Sequence, residues 1–217
     1  WKRLLVSQMG ARHGNSMSAI LLGEKSELDA QMKALYQKSG IGHILAISGL
    51  HMSFIGMGFY GLLRRVGCPV KPAGVLGILF LLGYTVMIGG GVSAIRAFVM
   101  FGIRVGADLC GRAYDMATSL AVAAALIALE SPMYLRDAGY LLSFGAVLGM
   151  AAVYPLMMRQ GKTKSKILQS FQASLAVNLV LFPVMLSFYY EFPPYSLLLN
   201  LVIIPLMSVV LGAGLLG

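Results

Sequence analysis

The apolar run HILAISGLHMS, residues 43 to 53, contains two histidines and a serine next to a glycine. Ser48 and His51 are three residues apart, so on an α-helix their side chains lie on the same face. A serine beside a histidine supplies the side chains that a nucleophile and its general base require. Neighbouring side chains on one helix rarely reach the geometry that nucleophilic attack requires. An intramembrane serine hydrolase that uses Ser48 and His51 is therefore an alternative function.

The same run could have a structural role. His43 and His51 could bind zinc, but further Cys, Asp or Glu ligands do not accompany them. Gly49 interrupts helix regularity, and Ser48 and the two imidazoles can satisfy the backbone groups that a break sets free. We therefore expect a broken or re-entrant polar segment, with no metal, no cofactor and no enzymatic activity.

Arg96 is the second unusual residue, because apolar residues flank it on both sides. A charge inside a membrane is costly and normally faces the protein interior or water. The side chain could reach the headgroups from a helix end, or bind the carbonyls of a helix broken at Gly89-Gly90-Gly91. It could also line a path for an anion. A small-solute transporter with Arg96 in its site is the second alternative function.

Arg104 and Arg112 follow Arg96 at intervals of eight residues. Eight residues advance an α-helix about 80° beyond two turns, so the three arginines form a slowly winding stripe. Two phenylalanines are interleaved, and a basic track with aromatic rings suits a single nucleic-acid strand. Two carboxylates could instead pair with Arg104 or Arg112, namely Asp108 and Asp115.

Composition indicates an all-α integral membrane protein. The chain has 217 residues, of which 58% are hydrophobic and 12% are charged, and its mean hydropathy is +0.80. A soluble domain carries about twice that charged fraction. Residues 1–40 are too polar to span and are expected at the membrane interface, ahead of a polytopic channel domain over 41–217. Because the chain opens on Trp1, we expect a fragment of a longer protein.

About seven apolar segments are predicted to span or enter the membrane, some of them broken or re-entrant. They lie at roughly 43–63, 73–93, 94–110, 116–131, 138–158, 168–189 and 195–217. Prolines interrupt three helical runs, at Pro155, Pro183 and Pro205. Two G-x-x-x-G pairs, Gly102/Gly106 and Gly145/Gly149, predict close approach of helix backbones.

Charge predicts the orientation of the chain. The net charge is +9, and the loops after the first, third and fifth segments hold most of the basic residues between segments. The positive-inside rule places those loops in the cytoplasm. They contain Arg64, Arg65, Lys71, Arg112, Arg159, Lys162, Lys164 and Lys166. Cys68 and Cys110 would then lie on the reducing side, as free thiols.

Several motifs occur in an order that closely resembles the ComEC family, the inner-membrane DNA channel of natural transformation. The main one is the stretch GHILAISGLH, which begins at Gly42. The others are LLGE at 21–24, SAIRA at 93–97, Gly111-Arg112, GYLLSF at 139–144, and LLNL at 198–201 with Pro205. One departure lies at Leu141, where family members often carry a polar residue, so a polar contact expected there is in doubt.

The resemblance implies the central membrane domain of a bacterial cytoplasmic (inner) membrane protein that passes single-stranded DNA. Relatives commonly add an OB-fold-like region before it and a metallo-β-lactamase-like nuclease region after it. An H-x-H-x-D-H metal motif is absent from this chain, so the segment itself is not expected to cut DNA. The expected partners are single-stranded DNA, the lipid bilayer, a DNA receptor and a cytoplasmic motor, and an oligomer is possible.

This reading assigns roles to individual residues. Arg96 is the first candidate for a phosphate contact, and Arg104 and Arg112 are the next candidates. His43, Ser48, Gly49 and His51 are predicted to shape a polar segment near the path, and two further residues to hold helices around it, Ser143 and Asn200.

Overall fold

The computed structural model describes residues 49–160 and 165–189 together with Leu206, and every regular element in these ranges is helical. The helices are α1 (Gly49–Arg65), α2 (Val70–Met87), α3 (Val92–Leu109), α4 (Met116–Glu130), α5 (Ala138–Leu148), α6 (Tyr154–Gln160) and α7 (Lys166–Tyr189). A 3-10 turn, Pro132–Arg136, precedes α5, and a π-helical turn, Gly149–Val153, joins α5 to α6. The all-α prediction is therefore confirmed for this part of the chain.

Within the described ranges, three helical stretches are long and apolar enough to cross a membrane: Val70–Met87, Ala138–Met158 and Leu168–Phe188. Of the others, α4 has 15 residues and α1 has 17, whereas α3 has 18 but carries three charged residues. Helices thus occupy the first six predicted segments, but the prediction of about seven membrane segments is not confirmed. The seventh segment, 195–217, lies outside the described residues except for Leu206.

Glycines and aspartates set the helix ends. Gly89 and Gly90 have φ angles of +83° and +60°, so the chain turns tightly between α2 and α3, as the Gly89-Gly90-Gly91 sequence predicted. Asp115 and Asp137 cap α4 and α5, because their carboxylates accept hydrogen bonds from the backbone N–H groups three residues later, at 2.7 and 3.0 Å.

α3 is shared by two hydrophobic clusters. Its residues at 94, 97, 101 and 105 pack against α1 and α2, in the cluster of Met52, Tyr60, Ala73 and Leu81. Its residues at 92, 95 and 99 pack against α4 and α5, in the cluster of Leu120, Ala123, Ile127, Tyr140 and Phe144. The spacing of three and four residues within each set is that of two neighbouring faces of one helix.

Short connections between contacting helices make successive helices antiparallel. Accordingly α1, α3 and α5 all begin at one end of the bundle, which we call the Arg96 end. The last turn of α1, which holds Arg64, and the loop that holds Arg112 lie at the opposite end, which we call the Arg112 end.

The continuous helical rod formed by α5, the π-helical turn and α6 is irregular close to Pro155, where the sequence predicted an interruption. Pro155 lacks an N–H, and its ring would collide with the carbonyl four residues earlier in a regular α-helix. The π-helical turn Gly149–Val153 ends two residues before this proline. Pro183 lies inside α7, which stays helical, and the carbonyl of Pro183 accepts a hydrogen bond from the Ser187 hydroxyl at 2.8 Å. Pro205 lies outside the described residues.

Candidate functional site

Arg96 occupies the second turn of α3 and is only 5% exposed. Its Nη1 atom donates a hydrogen bond to the backbone carbonyl of Ser143, in α5. Its Cζ atom lies 5.6 Å from the centre of the Phe144 ring, within the range of a cation–π contact. The acceptor is thus a carbonyl in α5 and not one set free at the Gly89-Gly90-Gly91 turn, and the side chain is enclosed by protein.

Gly49 makes room for the guanidinium at the start of α1. A Cβ atom built on Gly49 would overlap the Nη2 atom of Arg96 and would lie 3.2 Å from Cζ and 3.8 Å from Nε. The sequence predicts that this glycine interrupts a helix. In the structure its role is steric, because the missing side chain leaves the space that the Arg96 guanidinium occupies. One residue from each of three motifs therefore meets at this point, namely Gly49, Arg96 and Ser143.

The charge of Arg96 is poorly compensated within the described part of the chain. Its hydrogen-bond acceptor there is a neutral carbonyl, its Nε atom makes no hydrogen bond, and no described carboxylate forms an ion pair with it. Burial of an unpaired charge costs several kcal/mol, and a cation–π contact returns only about 1–2 kcal/mol. Among the described residues, the contacts of the guanidinium are thus one neutral carbonyl and one ring face.

His51 is 2% exposed and lies in the first turn of α1, beside the fully buried Met52. The other members of its motif, His43 and Ser48, lie outside the described residues, as does Asn200. The geometry of a Ser48–His51 pair is therefore outside what the structure describes. In the described part of the chain, no three His, Cys, Asp or Glu side chains lie close enough together to hold a metal ion.

Arg104 takes part in a different set of contacts, nearer the Arg112 end. Its Nε atom lies 3.7 Å from Oδ1 of Asp108, and its Cζ atom lies 5.1 Å from the centre of the Tyr114 ring. The Tyr60 hydroxyl donates to the other Asp108 oxygen at 3.3 Å. The predicted pairing of Asp108 with Arg104 is thus present, and the Arg104 side chain remains 42% exposed.

Arg112 is exposed in the loop between α3 and α4, where it lines an open cavity of about 380 Å³ together with Tyr114 and Ser119. Asp115 lines the same cavity, and its carboxylate caps α4 through Thr118. Hydrogen bonds from the Thr118 hydroxyl, and then from its backbone N–H, lower the pKa of Asp115.

The three arginines do not share one open surface. Arg96 is enclosed between helices, whereas Arg104 and Arg112 are open to solvent or lipid. Eight residues of helix separate Arg96 from Arg104 by about 12 Å along the axis. The predicted helical stripe therefore does not extend over all three arginines. Arg96 is a buried site in α3, whereas Arg104 near the end of α3 and Arg112 in the following loop form an open basic site.

Ser143 contributes its backbone carbonyl, not its hydroxyl, to the contact with Arg96. Phe144 was not singled out from sequence, although it directly follows Ser143 in the GYLLSF motif. No pattern in a single sequence indicates that this ring faces an arginine 48 positions earlier.

Comparison with protein families matches residues 20–217 to the model of a family described as Competence protein. The chain is 27% identical over 189 residues to ComE operon protein 3 of Bacillus subtilis, which covers 87% of this chain. It is 30% identical over 206 residues to Competence protein ComA of Neisseria gonorrhoeae, which covers 90% of this chain.

The match to Recombination protein 2 of Haemophilus influenzae is 28% identical over 138 residues, 59% of this chain and 17% of the relative. The chain spans 24% of the Bacillus protein and 29% of the Neisseria protein, about a quarter of each. No solved structure matches the chain significantly.

Proposed function

Because this chain belongs to the Competence protein family, we propose that it is the membrane channel domain through which a single strand of DNA enters the bacterial cytoplasm. Family membership supports a role in competence. The observation that carries the finer proposal is Arg96, a buried cation at the meeting point of three motifs, with no carboxylate partner among the described residues.

The proposed chemistry is permeation of a polyanion. A phosphodiester can accept two parallel hydrogen bonds from a guanidinium, which makes it a stronger partner for Arg96 than the neutral Ser143 carbonyl. Arg104, Arg112 and the Tyr114 ring would meet the strand at the other end, where bases can stack and phosphates can pair. With the Arg112 end in the cytoplasm, the strand would pass from the Arg96 end to the Arg112 end.

The surroundings of the channel belong to the same proposal. The domain would lie in the cytoplasmic (inner) membrane as a multi-pass protein, joined in the full chain to OB-fold-like and metallo-β-lactamase-like regions. A DNA receptor would deliver the strand, a cytoplasmic motor would draw it in, and several copies could complete the pore. No contact among the described residues supports the serine hydrolase or the small-solute transporter, and Ser48 lies outside those residues.

A complementation assay tests the function. The full-length protein is expressed in a transformable strain that lacks its own channel, and the cells receive duplex DNA labelled on one strand or on the other. We expect nuclease-protected, single-stranded label inside the cells, and no protected label in the strain without the protein. Restored surface binding without protected DNA inside, at matched membrane levels, would contradict a channel role.

A further inference from the structure

Arg96 lies at the seam between the two hydrophobic clusters that share α3. Towards α1 and α2 it covers Gly49, next to the cluster that contains Met52. Towards α4 and α5 it binds the Ser143 carbonyl and faces Phe144, which belongs to the second cluster. One side chain thus connects the first residue of α1 with the second turns of α3 and α5 across an otherwise apolar boundary.

These contacts bind the guanidinium but bring no negative charge to neutralise it. The Ser143 carbonyl is neutral, the Nε atom has no hydrogen-bond partner in the described chain, and Phe144 offers only a ring face. Such an arrangement is stable while no anion competes, because a buried donor loses more when it is left unpaired than when it binds a carbonyl. It is also replaceable, since an ionised acceptor makes hydrogen bonds about twice as strong as a neutral one.

We propose that Arg96 is a latch that keeps the Arg96 end closed, and that a phosphodiester of the entering strand opens it by replacing the Ser143 carbonyl. The second half of this proposal rests on the proposed DNA-channel function, whereas the first half does not. With the carbonyl released, α5 is free to move away from α3 at the Arg96 end, while α3 stays packed against α1 and α2. The strand shifts the equilibrium because it binds Arg96 only in the open arrangement.

Spin-label distances test the latch in the purified full-length protein in detergent. Labels are placed at Val86→Cys and Met133→Cys, which are exposed positions at the Arg96 end on the two sides of the seam, with the native cysteines replaced by serine. We expect a narrow distance distribution in the otherwise unaltered protein. Arg96→Gln, which removes the charge, and Gly49→Ala, which displaces the guanidinium, should each add a population at longer distance.

Each variant has a matched control. Arg64 donates a hydrogen bond to the Cys68 carbonyl at 2.9 Å but is exposed, so Arg64→Gln should leave the distances unchanged. Gly58 lies in α1 with open space around its Cβ position, so Gly58→Ala should do the same. Distances in Arg96→Gln and Gly49→Ala that equal those of the unaltered protein would overturn the latch.

The source of the phosphodiester is tested in separate arms. A short single-stranded oligonucleotide, added at constant ionic strength, should produce the longer-distance population in the unaltered protein. Vesicles of phosphatidylglycerol without DNA should not, and a shift with the lipid alone would overturn the role of the strand. A shift in the variants without any shift by the oligonucleotide would likewise overturn release by DNA while leaving the latch intact. If the complementation assay fails while Arg96→Gln still alters the spin-label distances, the channel function is rejected and the latch is retained.

Discussion

At the scale of single residues, the contact between Arg96 and Gly49 explains why a glycine stands at the start of α1. Any larger side chain would displace a guanidinium that the Ser143 carbonyl and Phe144 confine from the other side. The arginine is flexible in itself, but moving it breaks a hydrogen bond to a buried charge. Steric room at position 49 and charge at position 96 are therefore parts of one arrangement.

Gly49→Ala should therefore lower the stability of the full-length protein by about 1–3 kcal/mol, through overpacking and loss of the carbonyl bond. Its control is Gly58→Ala on the same helix, which should be neutral or stabilising by up to about 1 kcal/mol, because alanine favours helices. The midpoint of thermal aggregation in detergent measures both. Equal midpoints for the two variants would mean that the guanidinium does not occupy the space beside Gly49.

At the scale of helices, the two G-x-x-x-G pairs have different surroundings. A Cβ atom at Gly149 would lie 2.9 Å from the carbonyl oxygen of Ala176 and 2.9 Å from the Cα atom of Val177, so the rod from α5 to α6 touches the backbone of α7. The Cβ positions of Gly102 and Gly106 meet nothing within 4 Å. The predicted close approach of backbones is therefore confirmed at Gly149, and the described residues offer no such neighbour to the pair in α3.

Gly149→Ala should destabilise the protein by about 1–3 kcal/mol, because the obstructing atoms belong to backbone and cannot rotate away. Gly102→Ala is the matched substitution in open space and should change stability by less than about 0.5 kcal/mol. Thermal aggregation of the full-length protein in detergent compares them. A Gly149→Ala protein as stable as the Gly102→Ala protein would place α7 farther from the π-helical turn than described.

Helices and their interruptions could be predicted from local sequence, whereas contacts between motifs could not. The Gly89-Gly90-Gly91 turn and the irregular rod at Pro155 follow from backbone restrictions of one or two residues. The meeting of Gly49, Arg96 and Ser143 depends on how three helices rotate against one another. In a membrane, hydropathy is similar around much of each helix, so the apolar pattern does not specify those rotations. The residues of these motifs could therefore be identified from the sequence, but the contact that they share could not.

At the scale of the whole molecule, charge asymmetry predicts which end faces the cytoplasm. Cys110 is exposed at the Arg112 end, and Met133 is exposed at the Arg96 end. In the full-length protein, a membrane-impermeant maleimide should label Cys110 in inside-out vesicles but not in intact spheroplasts. Met133→Cys, in a protein without other cysteines, should give the reverse pattern. Labelling of Cys110 from outside would invert the proposed direction of the strand.

The central claim, that a DNA strand passes Arg96, is tested most directly by DNA entry in the channel-deficient strain. The full-length protein is supplied unaltered, as Arg96→Ala or as Arg64→Ala, at matched membrane levels, and nuclease-protected DNA inside the cells is counted beside surface-bound DNA. We predict that Arg96→Ala keeps surface binding but loses most of the entry, because the strand loses its phosphate contact even where the Arg96 end is open. Arg64→Ala, which removes an exposed arginine, should keep both. Equal entry for the two variants would contradict the account, because Arg96 would then be dispensable for DNA passage.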